Sequence, residues 1–177
     1  MTLKEHASYG AVVSAALYPV LGEKVAYFYF SSVLIDADHY LDFLFYTRFR
    51  DWSVVKMFRF HNQLAAWRHR KDLLALEAFH TAEFLLAFLA VGLYYKSQAL
   101  LLMFSGLMFH MLLDLIRLTQ WNCVSLRALS FVEYAVRKRR MLRAGVHPDA
   151  IFLEAYGAIK ETVKPSPAVP YFVKSPA

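Results

Sequence analysis

The sequence contains little cysteine, glycine or proline. It has one cysteine, Cys123, in 177 residues, so neither an intramolecular disulfide nor a cysteine-rich zinc site can form. It has six glycines and six prolines, and four of the prolines fall within residues 165–177. Few helix breakers and much leucine, alanine and phenylalanine favour long helices over strands. The sequence also has no glycine-rich phosphate loop and no Gly-x-Ser-x-Gly nucleophile motif.

Apolar residues, in contrast, are abundant. They make up 58% of the chain, whereas about 45–50% is usual in a soluble domain. We expect an all-α, membrane-associated four-helix bundle with an additional basic amphipathic C-terminal helix, and the alternative is a soluble bundle with an apolar core. Residues 1–145 would form a single helical metal-site domain, and residues 146–177 a C-terminal extension with a Pro-rich tail from 165. The four apolar stretches and the basic helix cover residues 7–21, 25–46, 73–95, 99–118 and 131–145.

The net charge of +6 is concentrated in two segments. Residues 46–72 hold seven Lys or Arg and residues 127–143 hold six, whereas the turns at 22–24 and 96–98 hold one Lys each. The positive-inside rule places both basic segments on the cytoplasmic side of a membrane. We therefore expect a multi-pass protein of a bacterial-type inner membrane. Anionic membrane lipids are its expected partners and nucleic acid is not.

Ionisable side chains interrupt the apolar stretches at one common depth. The spacings His80-x-x-Glu83 and His110-x-x-x-Asp114 each place two side chains on one helical face. Singly, such pairs are typical of hydrogen-bonded core residues. All four predicted helices, however, carry ionisable side chains in the half nearest the cytoplasm. Imidazole and carboxylate ligands suit Zn²⁺ best, Mn²⁺ or Fe²⁺ less well, and two or more ions could share the site. The predicted metal ligands are His6, Asp36, Asp38, His39, His80, Glu83, His110 and Asp114.

These motifs together resemble a known family over roughly residues 5–118. The sequences His6-Ala7-Ser8-Tyr9-Gly10, Asp36-Ala37-Asp38-His39, His80-Thr81 and His110-x-x-x-Asp114 look like those of the YdjM-like membrane-bound metal-dependent hydrolases. That family is distantly similar to zinc-dependent phospholipase C and P1 nuclease, which are helical and hold clustered metals with His and Asp. Its members commonly carry a His-Arg-Gly-x-Thr-His-Ser type segment, and residues 77–83 keep only the second of those two histidines.

The leading hypothesis is a metal-dependent hydrolase that cleaves phosphoesters, of phospholipid type, with metal-activated water. Asp38 or Glu83 would act as the general base, and Arg68, Arg70 or Lys71 would hold the phosphate of the substrate. Two alternatives remain. One is a non-catalytic membrane protein with a structural or sensory metal site, and the other is a proton or ion transporter. The histidines of the basic segment, at positions 61 and 69, could approach the site from a loop, but surface positions are expected for them.

Overall fold

The computed structural model describes residues 2–161, so the predicted proline-rich tail from residue 165 lies outside the described residues. Of these residues 77% are helical, which confirms the all-α class. Two short strands, β1 (Ala75–Leu76) and β2 (Arg127–Ala128), pair in parallel. The helices are α1 (Leu3–Leu21), α2 (Val25–Leu34), α3 (Ala37–Tyr46), α4 (Val54–Ala66), α5 (Ala82–Tyr94), α6 (Gln98–Gln120), α7 (Phe131–Arg143) and α8 (Pro148–Glu161).

Several helices begin where the sequence supplies a capping side chain. The hydroxyl of Thr2 accepts a hydrogen bond from the backbone N–H of Glu5, whose carboxylate accepts one from the backbone N–H of Thr2, so α1 opens with a capping box. Serine or threonine side chains cap the first turns of other helices in the same way. These residues are Ser53 for α4, Thr81 for α5, Ser97 for α6 and Ser130 for α7.

Two of the predicted helices have different bounds in the structure. The stretch 25–46 is broken at Ile35 and Asp36, so that α2 and α3 are separate helices. The helix predicted from residue 73 begins only at Ala82, because β1 and a 3-10 turn (Ala78–His80) occupy the intervening residues. At 1.5 Å per residue the 13 residues of α5 extend only about 20 Å. Helix α5 is therefore shorter than the hydrocarbon core of a bilayer.

Two helical hairpins, α1–α2 and α5–α6, pack together through α2 and α6. Glycines at the crossings allow close approach, since a Cβ atom on Gly106 would overlap the backbone carbonyl of Phe28 in α2. The Lys24 ammonium donates a hydrogen bond to the Gln98 side chain at 2.7 Å. That contact brings the two short interhelical turns together at one end of the hairpins, away from the start of α1.

A second layer consists of α3, α4 and α8. Phe43 of α3 and Phe60 of α4 are fully buried, and they share one apolar cluster with Ile151 and Phe152 of α8. The ring of Phe152 stacks on Tyr46 with a centroid distance of 4.2 Å. Helix α8, which the sequence assigned to an extension after residue 145, thus belongs to the core of this layer.

The outer surface of the hairpins is apolar. The segments Leu3–Tyr46 and Gln98–Gln120 are long and apolar enough to cross a membrane, judged by length and composition. Only 6% and 22% of their most apolar windows are buried within the protein. Large apolar side chains such as Val20, Leu86 and Tyr94 are 65–83% exposed. The hairpins thus present to their surroundings a surface that water would solvate poorly.

Candidate metal centre

The ends of four chain segments meet opposite the two short turns and carry buried ionisable side chains. His6 lies in the first turns of α1, Asp36 lies between α2 and α3, and His80 directly precedes α5. His110 and Asp114 lie on one face of α6. The three histidines are at most 1% exposed and Asp114 is 6% exposed. The side chains that the sequence predicts at a common depth therefore lie close together in the structure.

The hydrogen bonds of two of these histidines determine where their protons lie. The Nδ1 of His80 is 2.9 Å from Asp38 Oδ2, which also accepts the backbone N–H of Phe79. The Nδ1 of His110 is 2.8 Å from the backbone carbonyl oxygen of Ser32. Both partners only accept hydrogen bonds, so each Nδ1 carries a proton. When the rings are neutral, each Nε2 therefore carries a lone pair, and the two Nε2 atoms are 3.2 Å apart.

Two carboxylates complete this cluster of lone pairs. The Nε2 of His110 is 3.4 Å from Asp36 Oδ1 and 3.5 Å from Asp114 Oδ2. The corresponding distances from the Nε2 of His80 are 3.8 and 3.9 Å. Ligands bound tetrahedrally to one Zn²⁺ at about 2.0–2.1 Å are roughly 3.4 Å apart. His80, His110 and Asp114 therefore have the chemistry and the spacing of ligands to one divalent cation, and so do His6, Asp36 and His110. The residues present thus fit the predicted metal.

His6 extends the cluster on one side. Its ring stacks on that of His110 with a centroid distance of 3.7 Å, and its Nε2 is 3.1 Å from Asp114 Oδ1. The combinations His6, Asp36, His110 and His80, His110, Asp114 could each hold an ion, and both use His110. Within residues 2–161, the buried Nδ1 of His6 has no hydrogen-bond partner.

His39 lies on the other side of the cluster, among three carboxylates. Its Nε2 is 3.5 Å from Asp36 Oδ1, and its Nδ1 is 3.5 Å from Asp38 Oδ1 and 3.7 Å from Glu77 Oε1. The Nδ1 of His39 and Oδ1 of Asp38 are both buried and have no hydrogen-bond partner in the described part of the chain. Asp38 thus uses one oxygen to orient His80 and turns the other towards His39, an arrangement typical of residues that support metal ligands.

A buried arginine balances part of this negative charge. Arg127 of β2 is 4% exposed, and its guanidinium pairs with Glu77 and, at 3.0 Å, with Asp114 Oδ2. Burial alone would raise the pKa of Glu77, but the charge of Arg127 and the adjacent histidines hold that pKa well below its usual range. Parallel pairing of β1 with β2 aligns Ala75 with Arg127 and so brings the guanidinium beside Glu77.

Glu77, Arg127 and His61 contact the cluster although the sequence reasoning did not assign them to it. His61 is partly buried, its ring stacks on His39 at 4.6 Å, and its Nε2–H donates to the backbone carbonyl of His39 at 2.7 Å. Burial and the neighbouring His39 lower the pKa of His61 to about 4, so its imidazole is neutral at pH 7. The expected surface position of His61 is therefore wrong. A pattern Met57, Phe60, Leu64 on α4 could have indicated which face of that helix is buried.

Several predicted residues lie apart from the cluster. The carboxylate of Glu83 accepts hydrogen bonds from Ser130 Oγ at 2.6 Å and from the backbone of residue 131, at the start of α7. Arg70 pairs with Asp72 and with a glutamate of α8. Lys71 is exposed. Of the residues predicted to hold phosphate, Arg68 alone lines the cavity that adjoins the cluster.

That cavity has a volume of about 510 Å³, within the range of roughly 300–1,000 Å³ that is usual for small-molecule sites. Asp36, His39 and Glu77 form the part of its wall that belongs to the cluster. The remaining wall is largely apolar, and α4 contributes more residues to it than any other element. The cluster is therefore accessible from a cavity large enough for an organic substrate.

Comparison of the chain with protein-family models, with curated proteins and with solved structures finds no match. The resemblance to the YdjM-like hydrolases therefore remains a prediction from the motifs. The functional interpretation rests on the geometry of the cluster and its cavity.

Proposed function

We propose that the protein is a membrane-embedded, metal-dependent hydrolase that cleaves a phosphoester, with Zn²⁺ as the preferred ion. The observation that carries this proposal is the pair of Nε2 lone pairs of His80 and His110, 3.2 Å apart and flanked by two carboxylates. A divalent cation among these electron-rich atoms would offset their mutual repulsion in a buried space. An adjoining cavity then supplies the space for a substrate.

A divalent cation in this position would polarise the phosphoryl oxygens and lower the pKa of the attacking water. In the reaction the water oxygen forms a bond to phosphorus and the phosphorus–oxygen bond of the ester breaks. Asp36 belongs both to the cluster and to the cavity wall, which supports a role for its carboxylate in accepting the proton of that water. His39, held among the carboxylates of Asp38 and Glu77, would carry a proton to the leaving oxygen.

The direct test measures metal and hydrolysis in the same preparation. The protein is reconstituted in lipid nanodiscs, its bound metal is quantified by elemental mass spectrometry, and release of p-nitrophenol from a soluble p-nitrophenyl phosphodiester is followed. We expect hydrolysis that a chelator abolishes and Zn²⁺ restores. His110→Gln and Asp114→Asn should each remove it, whereas His69→Gln, an exposed position outside the cavity, should not.

The outcomes separate the hypotheses. Hydrolysis at the wild-type rate in the variant that combines His110→Gln and Asp114→Asn would overturn the proposal, provided circular dichroism shows native helicity. Stoichiometric metal without any hydrolysis would instead favour a structural or sensory metal site.

The proposed location is the inner membrane, with several spans, and with the cluster on the cytoplasmic side among anionic lipids. The apolar outer surface of the hairpins and the basic residues around α4 and α7 support it. Single cysteines test the orientation in a Cys123→Ser background. Glu23→Cys, in the turn between α1 and α2, should react with a membrane-impermeant maleimide from outside the cell. Arg139→Cys in α7 should react only after the membrane is permeabilised. The opposite labelling pattern would contradict the orientation.

A further inference from the structure

The wall of the cavity beside the cluster combines a polar part with a larger apolar part. The polar part includes the cluster residues Asp36, His39 and Glu77, and Asp42, His61 and Asn62 also line the cavity. Beyond them the wall is built by Met57 and Leu64 of α4 and by apolar side chains of neighbouring elements. These neighbours include Leu73, Ala75, Leu126 and Phe152. An apolar space that starts at a metal cluster is suited to a molecule with one reactive polar end and one apolar chain.

Arg68 provides a cationic group on the same wall. Its guanidinium lies over the ring of Trp121, 5.2 Å from the ring centroid, and both residues line the cavity. One guanidinium N–H of Arg68 donates to the backbone carbonyl of Ala65 at 3.1 Å. Its Nε is buried and has no hydrogen-bond acceptor among residues 2–161. A buried N–H without an acceptor favours an oxygen atom of a ligand, and an anionic one above all.

The rim of the cavity is apolar as well. Leu3, Leu34 and Phe58 line the cavity and are also 41–62% exposed, so they lie where it opens. Leu34 is the last residue of α2, one of the hairpin helices with an apolar outer surface. An opening with apolar edges beside such a surface lets an apolar chain pass from a bilayer into the cavity without crossing water.

We propose that the cavity binds the apolar chain of a phosphoester amphiphile drawn from the membrane. The chain lies along the wall built by α4 and Phe152, the phosphoester lies at the cluster, and Arg68 binds an anionic oxygen of the headgroup. The inference rests on the hydrolase function proposed above and adds the substrate class to it. Ala65 and Arg68 would then help to determine specificity.

The test uses a series of alkyl p-nitrophenyl phosphodiesters with chains of 2 to about 12 carbons. Burial of each methylene favours binding by a factor of about four. We therefore expect kcat/KM to rise by about fourfold per methylene until the chain fills the cavity, after correction for partition into empty nanodiscs. A kcat/KM that does not depend on chain length would overturn the inference while leaving the hydrolase function intact.

Two pairs of variants in and just after α4 test whether the cavity causes the dependence on chain length. Ala65→Phe narrows the cavity and should abolish the rise of kcat/KM with chain length. Ala66→Phe is the matched control, since Ala66 is exposed on the same helix but does not line the cavity. Arg68→Gln should lower the affinity for every chain length about tenfold, and the control Arg59→Gln should not. Identical behaviour of a variant and its control would contradict the proposal.

A binding measurement keeps the two proposals distinguishable. Alkyl phosphonates, which are not cleaved, and inorganic phosphate are titrated into the nanodisc preparation, and quenching of tryptophan fluorescence is recorded. Affinity that rises with chain length supports an amphiphile site even if no substrate is hydrolysed, in which case only the hydrolase function fails. Equal affinity for inorganic phosphate and for decyl phosphonate would show a simple phosphate site. It would overturn the proposal that the cavity binds an amphiphile.

Discussion

Replacing Gly106 by alanine should destabilise the protein, although alanine is the better helix former. A Cβ at this position would overlap the backbone carbonyl of Phe28 and the hydroxyl of Ser31, at the crossing of α6 and α2. A backbone group cannot rotate away, so the two helices must separate. Overpacking of this kind costs up to about 3 kcal/mol, and the better helix propensity of alanine offsets about 1 kcal/mol. The expected net loss is about 2 kcal/mol.

Thermal denaturation followed by circular dichroism measures this loss. For a domain of this size the Tm should fall by roughly 4–8 °C. Gly157→Ala is the matched control, because Gly157 lies in the helix α8 and a Cβ there would meet nothing within 4 Å. The control should raise the stability by about 0.4–1 kcal/mol through the unfolded state.

The same substitution should also weaken metal binding. His110 lies one turn beyond Gly106 on α6, and its Nδ1–H donates to the carbonyl oxygen of Ser32 on α2 at 2.8 Å. Separation of the two helices would lengthen this hydrogen bond, so the imidazole would no longer be held in one orientation. A Gly106→Ala protein with wild-type Tm and wild-type metal affinity would refute both the close crossing of α2 with α6 and its role in holding His110.

Three further predictions concern single carboxylates. Asp38→Asn replaces the charged acceptor of His80 Nδ1, so metal affinity in competition with a chelating dye should fall about 10- to 100-fold, and an unchanged affinity would contradict the supporting role of Asp38. Glu83→Gln should leave the metal content unchanged, because this carboxylate binds the start of α7, whereas loss of metal would place Glu83 at the cluster. Burial of Asp51 would raise its pKa, but the hydrogen bond from Lys56 outweighs burial and holds the pKa below its ordinary value. The stability from this lowered pKa is present above about pH 4 and is lost as the pH falls through the folded-state value. Asp51→Asn should therefore lower the Tm at pH 7 and reduce its dependence on pH below 4, and equal acid sensitivity of both proteins would refute this.

Much of the cluster follows from helical periodicity. The i, i+4 spacing of His110 and Asp114 places both on one face of α6, and short turns force neighbouring helices to run antiparallel. Those two facts bring His6, Asp36 and His80 to the same end of the hairpins. The lone-pair geometry at His80 and His110 depends on the carbonyl of Ser32 and on tertiary contacts, which no spacing in the sequence reveals.

The residues that were not predicted lie where periodicity is weak. A strand of two residues has no detectable alternation, so the pairing that brings Arg127 to Glu77 has no local signal. In α4 the basic residues lie between the apolar residues of the buried face. The charge pattern of the segment therefore predicts an exposed helix. In the stretch 25–46, no glycine or proline marks the end of α2 before Asp36.

The contacts of the cluster also constrain the order in which the protein can mature. His6 and Asp114 are 108 residues apart in the chain, and Arg127 follows Asp114 by another 13. A ribosome-bound fragment that ends before residue 114 cannot assemble the full set of ligands, and one that ends before Arg127 lacks the internal countercharge. On the proposed function, stable metal binding therefore follows assembly of both hairpins, and nascent chains would not hold the ion.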